Sequence, residues 1–207
     1  MKNFGILLRG KSLEKVNLII DKFDDCILVN NFKVELNKYV KDLKGKNIVH
    51  FANAMPSAGL EKQQYKLLNI RKIQFSFTKK YRENYHSKQR IDGVIKHYNN
   101  LKIGLKLEYT TDRLYEQIFN IHNTGIAGVL YVSECIKSKN IWIAGLDFYQ
   151  TNYLVKSTTS KQQEKSKKID MTGSFISIVK NHPDIKYNVI SYYNDFPNLE
   201  NLNIIKF

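Results

Sequence analysis

The stretch NTGIAGVLYVSECIKSKNIWIAGLDFYQ, residues 123–150, decides the fold. It opens on a short turn, Asn123-Thr124-Gly125, and continues as an apolar helical segment from Ile126 to Ile136. A buried-strand pattern follows from Asn140 to Gly145, closing on the polar-aromatic tip Leu146-Asp147-Phe148-Tyr149-Gln150. A turn, a helix, a strand and then polar groups at the strand's carboxyl end is the layout of an α/β ligand site. The helix start at Thr124-Gly125 offers backbone N–H groups and a positive dipole end to an anion. Tyr149 and Tyr153 follow the strand, and their phenols can donate to a phosphate. Asp147 reads as a carboxylate that orders the tip.

The first third of the chain repeats the same grammar. Phe4 to Leu8 is a short apolar strand, Gly10 breaks it, and Ser12 is placed to cap a helix from Leu13 to Ile20. Cys26 to Val29 is a second buried strand, ending at Asn30-Asn31, and Val34 to Leu43 has helical spacing up to Gly45. Ile48 to Ala52 is a third strand, ending at Asn53. Three such units predict a parallel sheet with right-handed crossovers, its ligand crevice formed by loops at the strands' carboxyl ends. Ile73 to Phe77 alternates as a strand, Lys79 to Tyr98 is polar and reads as an exposed helical or irregular segment, and Arg113 to Ile121 leads as a helix into the NTG turn. Residues 155–169 are lysine-rich and nearly devoid of apolar side chains, which predicts a flexible lid. Met171 to Val179 reads as a helix and Tyr187 to Ser191 as a last strand. The expectation is one α/β domain over 1–207, Rossmann-like, with a mostly parallel sheet flanked by helices.

Composition bounds the function classes. With 207 residues, 43% hydrophobic and 12% aromatic, the chain has material for one full core. No apolar run is long enough to span a bilayer, and the N-terminus reads as a strand rather than a signal peptide. Cys26 and Cys135 lie in apolar runs and read as two buried free thiols in a reducing, cytoplasmic compartment. No CxxC, HExxH or DxD pattern occurs, so no metal or other cofactor is expected. The net charge of +14 attracts polyanions and anionic surfaces.

The ending Gly145-Leu146-Asp147-Phe148-Tyr149-Gln150, together with the Thr124-Gly125 turn, resembles the bacterial sialyltransferases of the Campylobacter type. Three further segments match in the family's order. The first loop, Arg9-Gly10-Lys11-Ser12-Leu13, stands where the family has Asn-Gly-Pro-Ser-Leu, with Arg9 and Lys11 as departures. Gly10 lets the backbone approach a ligand and Ser12 lies at a helix start. The second loop, Asn30-Asn31-Phe32, aligns Asn30, and the third, Asn53 to Ser57, aligns Asn53 with two residues inserted before the proline.

The resemblance implies a nucleotide-sugar site built from Arg9, Gly10, Ser12, Asn30, Asn53, Thr124 and Gly125. Tyr149 and Tyr153 would hold the phosphate of the departing nucleotide without a metal. The family's basic residue before the turn falls near Ile121 and is missing, with His122 beside it. The family's histidine base is also missing after the lid, where Asp170 takes its place. The implied reaction is inverting transfer of sialic acid or a related keto-sugar acid from a CMP donor to a glycan or glycolipid acceptor, such as a lipooligosaccharide precursor. Peripheral contact with the anionic inner face of a membrane would fit the charge. Two rivals stay open: a transferase of the same fold using another nucleotide sugar, and a basic nucleic-acid-binding protein. The second carries no RNA-recognition, KH or zinc-finger signature, so no nucleic acid is expected as partner.

Overall fold

A computed structural model describes residues 3–32, 42–55, 58–78, 88–119, 121, 123–148 and 170–207. Eight strands form one sheet in the order β5-β4-β3-β2-β1-β6-β7-β8. They are β1 (Asn3–Leu7), β2 (Asp25–Val29), β3 (Asn47–Ala52), β4 (Lys72–Phe75), β5 (Lys106–Tyr109), β6 (Asn140–Ala144), β7 (Lys186–Ile190) and β8 (Leu202–Ile205). Every registered pair is parallel, from Asn3 opposite Asn140 at one strand start to Ile190 opposite Ile205 at one strand end. The helices are α1 (Lys62–Leu67), α2 (Lys88–Asn100), α3 (Asp112–Phe119), α4 (Thr124–Tyr131) and α5 (Met171–Asn181). The α/β expectation with a largely parallel sheet therefore stands.

The chain forms two compact units, Met1–Cys26 with Val129–Phe207, and Ile27–Gly128. In the first, the apolar runs of β1, β6 and β7 bury Ile6, Leu7, Ile141, Ile143, Tyr187 and Val189. Such continuous runs are what a strand covered on both faces needs. Helix α5 adds Met171, Phe175, Ile178 and Val179, spaced so that they share one helical face. In the second unit, Ile27, Leu28, Phe51, Ile73 and Phe75 form the strand core.

Several local expectations are corrected. The segment after β1 is a 3-10 helix over Lys11–Leu18, with Gly10 rather than Ser12 as its cap and no side-chain capping bond. Leu13, Val16 and Ile19 are buried and recur every third residue, the period of a helix with three residues per turn. Lys88–Asn100 is a helix with Ile91, Val94 and Tyr98 buried on one side, so that part of the segment read as exposed is a core element. The helix after the NTG turn is α only to Tyr131 and ends in a π turn, Val132–Ile136. Cys26 is buried as expected, but Cys135, on that π turn, is exposed. Most of the helix expected at Val34 to Leu43, and the lid at 155–169, lie outside the described residues. Among the described residues, no helix is long and apolar enough to cross a membrane.

Candidate active site

Each unit carries one cluster of the expected residues at strand carboxyl ends. In the first unit the loops after β1, β6 and β7 are tied to one another through Asp147. Its Oδ2 accepts from the Ser12 backbone N–H at 2.7 Å and its Oδ1 from the Tyr192 N–H at 2.9 Å. The Ser191 hydroxyl shares its proton between the Leu146 carbonyl and Asp147 Oδ1, 3.2 Å away. Asp147 is 3% exposed, so these are bonds to a buried charge, the strong kind. This bears out the reading of Asp147 as the carboxylate that orders the tip.

Gly10 and Gly145 are required by how closely these loops approach. The Gly10 N–H donates to the Gly145 carbonyl at 2.9 Å. A Cβ at Gly10 would stand 2.5 Å from that carbonyl oxygen and 2.6 Å from Asp147 Oδ2, and Gly145 has φ +83° with Leu8 O 2.2 Å from any Cβ. Both positions exclude a side chain. The Ser12 hydroxyl is buried and engaged twice, donating to the Ile190 carbonyl at 3.0 Å and accepting from the Gly145 N–H at 3.1 Å. Ser12 thus ties together the carboxyl ends of β6 and β7. Arg9 is half-buried in the same loop. Tyr192 donates its phenol to Glu14, which pushes the Tyr192 pKa up to about 12, and Lys11 Nζ sits over the Tyr192 ring.

The second unit brings Asn30, Asn53 and Thr124 into one hydrogen-bonded group. Asn30 ends β2 in the left-handed region, φ 60°. Its Oδ1 accepts from the Asn53 backbone N–H at 3.1 Å, and Asn53 Nδ2 donates to Thr124 Oγ1 at 3.4 Å. Asn53 Oδ1 is buried with no hydrogen-bond partner among the described residues. A buried amide oxygen without a donor is costly, and such an atom marks a place where a donor from outside the chain fits. Thr124 and Gly125 form the first turn of α4, whose N-terminus is capped by Asn123: its Oδ1 takes the Ile126 N–H at 3.0 Å. The turn was legible in the sequence, but the capping role of Asn123 was not assigned there. Ile121, where a basic residue was sought, is buried.

Beneath this group lies a histidine that sequence reasoning passed over as a strand residue. His50 on β3 is fully buried, and burial outweighs the Asn30 and Ala58 carbonyls to draw its pKa from 6.5 down to about 4. The folded state therefore holds it neutral while the unfolded chain binds a proton below about pH 6.5. Stability is fully present above that pH and is lost as the pH falls towards 4. A depression of this size corresponds to about 3 kcal/mol. Urea unfolding at pH 7 and pH 4.5 should show this loss, and His50→Gln should remove most of the His50-dependent part. An equal pH slope in the variant would contradict the assignment.

Of the remaining expected residues, Asp170 is exposed and caps α5, its Oδ1 accepting from the Gly173 N–H at 2.7 Å. Tyr149, Tyr153 and His122 lie outside the described residues.

No protein-family model matches the chain, and no curated protein does. Solved structures do. The sialyltransferase CstII from Campylobacter jejuni in complex with cytidine-5'-monophosphate is 15% identical, with a TM-score of 0.51 over 91% of this chain and 79% of that one. The same enzyme with CMP-3FNeuAc is 16% identical, with a TM-score of 0.52 over 91% and 81%. Its complex with a trisaccharide acceptor and CMP is 14% identical, with a TM-score of 0.55 over 91% and 80%. With its eight parallel strands and flanking helices, the chain has the fold of the Campylobacter sialyltransferase CstII.

Proposed function

We propose that the chain is a glycosyltransferase of the sialyltransferase type. It moves sialic acid or a related keto-sugar acid from a CMP donor to a glycan or glycolipid acceptor, with inversion and without a metal. The observation that carries this reading is the Asn30–Asn53–Thr124 group, with its unpartnered buried Asn53 Oδ1, in a chain whose fold neighbours hold CMP. Asn53 Oδ1 is an acceptor for a ligand hydroxyl or amine. Thr124, Gly125 and the start of α4 suit the anionic end of the donor. The Arg9, Gly10 and Ser12 loop contributes a close backbone approach and positive charge. Tyr149 and Tyr153 donate to the phosphate of the leaving nucleotide, and Asp170 accepts the acceptor's proton. The net charge of +14 favours peripheral contact with an anionic membrane surface that presents the acceptor.

A same-fold transferase with a different nucleotide sugar is the second reading. It is favoured by the buried apolar Ile121 where the resembled enzymes place a basic residue, and by Arg9 in the first loop.

Two measurements test the proposal. Tyr149→Phe should leave the fold intact and slow transfer about 10- to 1,000-fold, the cost of one lost donor to developing charge. Equal turnover would remove Tyr149 from the mechanism. Titration with CMP and with a short RNA, each at several salt concentrations, separates the enzyme from a nucleic-acid binder. CMP affinity should change little with salt, whereas binding through many phosphates collapses steeply. Tight, salt-sensitive RNA binding with no CMP binding would overturn the reading.

A further inference from the structure

The Asn30 turn rests on a chain of buried polar groups. The Leu60 N–H donates to the Tyr65 phenol at 3.2 Å, and Tyr65 Oη lies 2.8 Å from His50 Nδ1. His50 Nε2 lies 2.9 Å from the Asn30 carbonyl oxygen. A carbonyl only accepts, so Nε2 carries the proton. Because the buried ring is neutral, Nδ1 is bare and accepts from Tyr65, whose own oxygen is held by Leu60. The tautomer is thereby fixed from one end of the chain to the other. His50, Tyr65 and Tyr98 are at most 2% exposed, and their rings pack edge-on or tilted against one another.

These groups converge on a left-handed turn. Asn30 has φ 60°, a conformation uncommon for residues other than glycine, which asparagine tolerates better than most. Its N–H donates to the Phe51 carbonyl at 2.8 Å, its carbonyl takes the His50 proton, and its Oδ1 takes the Asn53 N–H. With both backbone groups and Oδ1 fixed, the Nδ2 protons are the end of this amide left to address a ligand. An apolar residue at position 50 would leave the Asn30 carbonyl without its donor.

We propose that His50, backed by Tyr65, is a positioning residue that sets the left-handed turn at Asn30 and so aims the Asn30 amide at the nucleotide of the sugar donor. The inference rests on the reading of Asn30 as a donor-binding residue. It places specificity for the nucleotide in a buried histidine that never meets it.

Calorimetric titration of the chain with CMP tests this. His50→Met should weaken CMP binding about tenfold or more, because a small misplacement of a binding group is costly. His50→Gln, whose amide nitrogen falls near the place of Nε2, should rescue affinity to within about threefold. Tyr65→Phe should weaken binding about three- to tenfold and keeps the test alive if His50→Met does not fold. The decisive comparison uses Asn30→Gly, which accepts φ 60° without strain. In that background His50→Met should add less than about twofold, since residues that act through one another are non-additive. Wild-type CMP affinity in His50→Met and Tyr65→Phe, or full additivity with Asn30→Gly, would overturn the inference while leaving the donor reading intact. Absence of CMP binding in the wild type, or an Asn30→Gly variant that binds as the wild type does, would overturn the donor reading and this inference with it.

Discussion

Asp170→Asn should keep the protein's melting temperature within about 2 °C of wild type, because Asn caps a helix as well as Asp does. Turnover should fall about 100- to 10,000-fold, the typical worth of a general base. The two effects separate because the residue has two jobs in the proposal. Its Oδ1 accepts from the Gly173 N–H at the start of α5, and an amide oxygen does the same. Accepting a proton from the acceptor hydroxyl requires the carboxylate, which an amide cannot replace. A variant that is as stable and as active as wild type would confine Asp170 to its capping role and move the base elsewhere. Thermal melts and initial rates on one preparation decide the matter.

Asp147→Ala should lower stability by about 3–5 kcal/mol, a large part of what a domain of this size possesses. The Ser12 and Tyr192 N–H groups would lose their acceptor in a nearly water-free setting, and three strand ends would lose their common tie. Urea titration followed by circular dichroism reads the loss directly. A change below about 1 kcal/mol would show that the loops hold their places without the carboxylate. The same substitution also reaches the Gly10 loop, whose backbone lies against both Gly145 and Asp147.

The strands legible in the sequence are those with unbroken apolar runs. Cys26 to Val29 and Ile141 to Ala144 carry their own signal because both faces are covered. β5 and β8 were missed for the opposite reason. At the sheet margins Lys106 to Tyr109 and Leu202 to Ile205 are only partly buried, and edge strands mix charged and apolar residues. α2 was misread because its lysines, arginine, histidine and asparagines outweighed Ile91, Val94 and Tyr98, although these three already stand on one helical face.

The candidate site divides along similar lines. Asn30, Asn53 and Thr124 end strands or begin a helix, and local signals place such positions; the structure brings the three together. The role of Ser12 was not legible, because the acceptor of its hydroxyl is the carbonyl of Ile190, far along the chain. His50 was hidden for the same reason: its partners, Asn30 and Tyr65, come from different elements, and only the fold brings them to one ring.

The most direct test is release of CMP from CMP-sialic acid by the purified wild-type chain in the presence of EDTA, followed by chromatography. The proposal predicts release that saturates with donor, rises when a glycan acceptor is added, and is unaffected by the chelator. No release at any donor concentration, with or without acceptor, or release that EDTA abolishes, would contradict it.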